Sequence, residues 1–223
     1  MVTQVFSIQT PEEALECIRA GIDQIGLLVG DASCPACIDV ERARAVFDAI
    51  GHLAVKLAII MVRDEDLVIE IAKELRPDIV HLCDEVVFAT HAFAAKLKAA
   101  IPGIRLMQAV SVDGPECVTV AKSYEGAADY LMTDTLCQYG IGASGIVHDW
   151  DLDRRIVEEV NIPVVLAGGL SADNVYDAVQ KVRPWGVDSL TKTSVVENGV
   201  VLRKDPEKVR LFVENARRAA REI

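Results

Sequence analysis

The chain has 223 residues, 51% of them apolar, and carries a net charge of −11. That length suffices for one α/β barrel or two smaller domains, with a sizeable core in either case. The acidic balance argues against nucleic-acid partners, which need clustered Lys and Arg, and leaves room for one small anion held by backbone N–H groups. No apolar run approaches the roughly 18 residues that span a bilayer, and the first residues lack the basic start and long apolar core of a signal peptide. The expectation is a soluble cytoplasmic protein with no membrane partner.

Strand-like and helix-like segments alternate along the chain. Gln4–Ile8 reads as a strand and leads to a helix over Glu12–Ala20, which Thr10 caps, Pro11 opens and Gly21 ends. Next come a strand at Gln24–Val29 with a helix at Val40–Ile50, and a strand at Ala54–Val62 with a helix at Glu65–Leu75 behind Asp64. Strand Ile79–Leu82 precedes helix Thr90–Ala100, and strand Leu106–Val110 precedes helix Pro115–Tyr124. The last three pairs are Tyr130–Thr133 with Asp153–Val160, Val164–Ala167 with Ala172–Val182, and Val187–Leu190 with Pro206–Arg221, the final helix opened by Asp205. The strands are short, rich in Val, Ile and Leu, and show little polar alternation, as strands buried on both faces must. Eight such repeats without a linker predict a single-domain (β/α)8 TIM barrel over residues 1–223. A doubly wound open sheet would place a Gly-rich loop after its first strand, and Ser7-Ile8-Gln9-Thr10 contains no glycine.

The catalytic face of a barrel is built from strand ends and the loops after them. In the seventh repeat an apolar run ends in Gly168-Gly169 and a helical segment follows, a pattern that lets backbone N–H groups approach a phosphate closely. Asp188 in the eighth strand and Thr193 and Ser194 after it complete that phosphate site, in the usual place between the last two repeats. Asp134 closes the sixth strand, where an apolar barrel raises a carboxyl's pKa toward that of a general acid. The loop beyond it supplies Gly142, Ser144 and Gly145 as further phosphate candidates.

Together these segments resemble phosphoribosylanthranilate isomerase, an enzyme family of tryptophan biosynthesis on a ribulose-phosphate-binding barrel. Val164-Val-Leu-Ala-Gly-Gly-Leu-Ser-Ala-Asp-Asn-Val is similar to the family's seventh-strand segment, and Val182-Arg-Pro-Trp-Gly-Val-Asp188 to its approach to the eighth strand. Asp134-Thr, Gly142-Ala-Ser-Gly145 and Asp149-Trp150 resemble its catalytic-acid segment and loop, and Lys204-Asp-Pro-Glu-Lys-Val its last helix start. The resemblance implies an Amadori rearrangement of a phosphorylated aminosugar: Asp134 protonates the ring oxygen, a base removes the C2 proton, and neither cofactor nor metal takes part. It implies a small phosphorylated sugar as partner and either a monomer or a homodimer.

The chain departs from that pattern at the base. The family's cysteine, in Lys-Ile-Cys-Gly-Ile-Thr, aligns with Phe6, with Ser7 beside it, and its arginine after strand two aligns with Pro35-Ala36. Ser7, His81 and Cys83 are therefore the candidate bases, in an isomerase or epimerase of this or another sugar phosphate. Lys192 offers a Schiff-base aldolase as an alternative, and a barrel without a base offers a non-catalytic binder of phosphorylated ligands. Six cysteines are present; Cys17 and Cys117 read as packed thiols, while Cys34, Cys37, Cys83 and Cys137 fall in loops at one end of the barrel. Those four read as unconnected loop cysteines, with a thiolate metal site or a redox pair at Cys34-Pro-Ala-Cys37 as the competing readings.

Overall fold

The computed structural model describes residues 1–30, 36–83, 88–137, 140–141 and 148–223. Eight parallel strands close into a barrel: β1 (Val2–Val5), β2 (Gln24–Val29), β3 (Val55–Ile60), β4 (Ile79–Leu82), β5 (Arg105–Ser111), β6 (Tyr130–Asp134), β9 (Val164–Leu166) and β10 (Gly186–Ser189). The seam joins β1 to β10, with Gln4 opposite Asp188 and Val5 opposite Ser189. Eight helices pack outside: α1 (Pro11–Arg19), α2 (Val40–Ile50), α3 (Glu65–Leu75), α4 (His91–Ala100), α5 (Cys117–Ser123), α6 (Trp150–Glu159), α7 (Val175–Val182) and α8 (Pro206–Arg221).

The caps form as their residue types dictate. Thr10 Oγ1 accepts from the Glu13 N–H, and Asp64 and Asp205 each accept from two N–H groups of the first turn they face; a cap of this kind is worth about 1 kcal/mol. Strand alternation divides the apolar residues in two. One set, including Ile25, Leu27, Val80 and Leu106, packs outward under the helices. The other, with Phe6, Leu57, Ile79, Met107, Met132 and Val165, fills the barrel interior. Gly26 faces Phe6 so closely that a Cβ there would lie 2.3 Å from the ring, so the aromatic side chain at the mouth of the barrel is accommodated by a missing one opposite.

Three features differ from expectation. Two short hairpins are added to the barrel: β7 (Leu136–Cys137) with β8 (Gly140–Ile141), and β11 (Ser194–Glu197) with β12 (Val200–Lys204). The second turns at Asn198 and Gly199, both at positive φ (49° and 81°), as a tight hairpin between Val-rich runs requires. The helix after the glycine pair opens at Val175 rather than Ala172. A turn intervenes, held by Asn174, whose side chain accepts from the Ser171 N–H and donates to the Gly169 carbonyl. The first strand ends at Val5, because Ser7 adopts φ 70° and breaks the extended backbone.

Candidate active site

Two connected hollows open at the C-terminal ends of the strands. The first, of about 280 Å³, is lined by Asp134, Gly168 to Leu170 and Ser189 to Lys192. The second, of about 500 Å³, reaches down the barrel axis past Phe6, Leu28, Ile59, His81, Cys83, Ala109 and Met132. Asp134, Asp188 and Leu190 line both. The first suits a compact anion in its glycine-rich wall, and the second, mostly apolar, suits a larger organic group.

The glycine wall follows from backbone conformation. Gly168 and Gly169 lie at φ 81° and 66°, where only glycine sits without strain. A Cβ on Gly168 would also come within 2.6 Å of His148 Nδ1 and 2.9 Å of Thr135 Oγ1. His148 Nδ1 is hydrogen-bonded to Thr135 Oγ1 at 2.9 Å, and its Nε2 lies 2.7 Å from Asp153 Oδ2 on α6. The glycine turn thus rests on a buried His–Asp pair, itself attached to the residue after Asp134.

Asp134 ends β6 with 7% of its surface exposed. Burial pushes its carboxyl up to about 6, while the Thr135 N–H, 2.7 Å from Oδ1, holds it back. At neutral pH an appreciable fraction is protonated, as a general acid needs. Asp188 is deeper, 4% exposed, and accepts a hydrogen bond from Gln4 Nε2 at 3.1 Å. Burial and the Asp134 charge raise its pKa, and the Lys204 ammonium opposes them.

The remaining expected residues divide. Ser7 and His81 are buried, and Ser7 Oγ and His81 Nδ1 have no hydrogen-bond partner among the described residues. His81 meets the Phe6 ring edge-on at 5.4 Å, and burial pushes its pKa down to about 3; a neutral imidazole that resists protonation so strongly is a poor base. Cys83 lines the deeper hollow. Thr193 and Ser194 turn inward instead of lining the phosphate hollow: their hydroxyls donate to the carbonyls of Ser189 and Leu190 and hold the loop from within. Lys192 stands exposed on the rim, without the desolvation that activates a Schiff-base lysine. Gly142, Ser144, Gly145 and Cys34 lie outside the described residues, as does the side chain of Cys137. Cys37 is held in a disulfide, and no group of three His, Cys, Asp or Glu among the described residues is placed to hold a metal ion. Cys17 and Cys117 are packed thiols whose pKa values burial raises.

Lys204 is a functional residue that sequence reasoning misses. It ends β12 with 2% exposure, and its Nζ donates to the carbonyls of Leu190 (2.7 Å) and Ser189 (3.2 Å) and to the Thr193 hydroxyl (3.1 Å). Its N–H donates to Glu13 on α1. A buried cation therefore ties together the loop facing the anion site, with the Asp188 charge beside it. A lysine next to a helix cap gives no local signal of this; the signal that is present, Asn198-Gly199, marks the hairpin that carries it.

A profile of the N-(5'phosphoribosyl)anthranilate (PRA) isomerase family matches residues 4–215. The N-(5'-phosphoribosyl)anthranilate isomerase of Methanocella arvoryzae is 33% identical over 214 residues, covering 96% of this chain and 97% of that protein. That of Haloferax volcanii is 34% identical over 201 residues, covering 90% and 86%. Among solved structures, the Thermotoga maritima phosphoribosyl anthranilate isomerase superposes with a TM-score of 0.81 at 22% identity, over 97% of this chain and 99% of that one. A phosphoribosyl anthranilate isomerase in complex with reduced 1-(o-carboxyphenylamino)-1-deoxyribulose 5-phosphate gives 0.78 at 21%, with the same coverage. The chain belongs to the N-(5'-phosphoribosyl)anthranilate isomerase family.

Proposed function

We propose that this protein rearranges N-(5'-phosphoribosyl)anthranilate to 1-(o-carboxyphenylamino)-1-deoxyribulose 5-phosphate, with Asp134 as the general acid. One observation carries the reading beyond family membership: a protonatable carboxyl, Asp134, lines both the glycine-walled hollow and the deeper apolar one. A substrate anchored by its 5-phosphate at Gly168 and Gly169 brings its ribose ring oxygen toward that carboxyl, so binding supplies the orientation that the first proton transfer needs. Asp134 gives its proton to the ring oxygen as the C1–O bond breaks, and the nitrogen lone pair forms the C1=N bond. The work is proton transfer on a held substrate, in keeping with a cytoplasmic biosynthetic role and no nucleic-acid partner. The test is the loss of anthranilate fluorescence on turnover. Wild-type protein is expected to quench it, and Asp134→Asn to lower kcat by about 10²–10⁴-fold; a silent wild type that still binds phosphate overturns the assignment.

The lining of the deeper hollow favours a second reading. Among the described residues it contains no Lys or Arg, so none of these offers an ion pair to an aryl carboxylate. A phosphorylated aminosugar with a neutral substituent would fit it as well, and turnover of such a compound in preference to the anthranilate one would select this reading.

A further inference from the structure

The rearrangement needs a second group, one that accepts the C2 proton, and the position at the end of β1 offers only the Phe6 ring. Among the described residues, and apart from the exposed Lys192 on the rim, four side chains that can take a proton line the two hollows: His81, Cys83, Asp134 and Asp188. His81 and Cys83 line the deeper hollow only, on β4 and just beyond it, away from the anion site. A sugar phosphate held at Gly168 and Gly169 has its carbon chain between the hollows, and the two carboxyls bordering both are Asp134 and Asp188. Asp188 stands on β10, next to β1 in the barrel, with Gln4 directly across the seam. The strand neighbouring Phe6 thus presents a carboxylate one layer below the ring.

We infer that Asp188 is the base that removes the C2 proton in this chain; the inference rests on the rearrangement proposed above. The surroundings hold it as the acceptor of the pair. Gln4 Nε2 donates to its Oδ1 and the Lys204 ammonium sits close by, anchored on the carbonyls of Ser189 and Leu190, so a negative charge on Asp188 has fixed positive partners. Asp134 has a single backbone N–H. Burial pushes the Asp188 carboxyl up to about 7 and Asp134 to about 6, so the two exchange a proton near neutrality, and the form that reacts is the one with the proton on Asp134 and Asp188 ionised. After ring opening, Asp188 takes the C2 proton; the C–H electron pair becomes the C1=C2 bond and the C=N electrons return to nitrogen. The enolamine then ketonises, gaining a proton at C1 and losing one from the C2 hydroxyl. Transfer of the proton from Asp188 back to Asp134 resets the pair.

The experiment is steady-state turnover of N-(5'-phosphoribosyl)anthranilate by wild type, Asp188→Asn, His81→Gln and Cys83→Ser. Asp188→Asn is expected to lose about 10²–10⁴-fold in kcat with KM nearly unchanged, while His81→Gln and Cys83→Ser, which alter the wall of the deeper hollow, are expected to act mainly on KM and to lose less than about ten-fold in kcat. Asp188→Asn near wild-type kcat overturns the inference, as does a comparable loss confined to Cys83→Ser. A changed KM with intact kcat makes Asp188 a binding residue instead. A silent wild type removes the reaction and this assignment with it, and is distinguished by that pattern. Should Asp188→Asn not fold, Asp188→Glu keeps the charge beside Lys204 and displaces the oxygens by one methylene. A base then loses at least ten-fold in kcat, and a charge needed only for structure does not. Formate restoring turnover to Asp188→Ala would supply the missing carboxylate directly.

Discussion

Asp134 couples protonation to stability in a direction opposite to most surface carboxylates. Its folded pKa, raised to about 6 by burial, lies above the unfolded value, so the folded state holds the proton more tightly. The resulting stability is complete below the unfolded pKa and is lost as pH rises through about 6. A carboxyl held that far above its ordinary value contributes about 3 kcal/mol. Asp134→Asn is therefore expected to raise stability over wild type in mildly alkaline buffer and to leave it unchanged in acid, measured by urea unfolding across pH, even as activity falls. Gly168 is the other residue on which the site turns. Gly168→Ala meets both a positive φ and the His148 ring, a cost of about 1–3 kcal/mol. The expected outcome is a lower thermal midpoint and, on the proposed function, a smaller rise of that midpoint with added inorganic phosphate than in wild type.

At the scale of elements, the hairpin of β11 and β12 has a purpose that its exposed apolar residues do not reveal. It delivers Lys204 to the underside of the loop after β10. Lys204→Met removes three charge-assisted hydrogen bonds and leaves the Ser189 and Leu190 carbonyls with only the Thr193 and Ser194 hydroxyls as donors, a loss of about 1.5–3 kcal/mol. Denaturant unfolding should register that loss, and phosphate affinity should fall because the loop no longer holds its shape. The sequence revealed the barrel strands and helices because their apolar periods and caps are local. It revealed Gly168-Gly169 because a left-handed backbone narrows the choice of residue, and Asp134 because a carboxyl at a strand end is conspicuous. It did not reveal Lys204, Gln4 or the His148–Asp153 pair. The roles of Lys204 and Gln4 depend on partners 11 to 191 residues away, and that of the His148–Asp153 pair on its contact with Thr135 at the end of another element; no local pattern encodes such partners. Thr193 and Ser194 were legible as polar residues beside the site; which way their hydroxyls point is settled by the loop's own carbonyls.

Across the whole molecule, the two rims of the barrel divide the labour. At the rim opposite the site, Asp23, Asp78 and Asp129 accept hydrogen bonds from the strand N–H groups of Thr3, Lys56 and Leu106, pinning where each strand begins. Asp129→Ala is expected to cost about 1–3 kcal/mol in unfolding free energy and to leave kcat/KM unchanged, because residues at that rim act on stability alone. The seam between β1 and β10 bears differently on the life of the chain. Gln4 reaches Asp188 across 184 residues of sequence, and Glu13 reaches Lys204 across 191. Such distant closures carry the largest loop entropy and form late. On the ribosome, then, a nascent chain lacks the glycine-walled hollow until its last strand and hairpin have emerged, and on the proposed function phosphate binding would report that synthesis has passed residue 204 and the ring has shut.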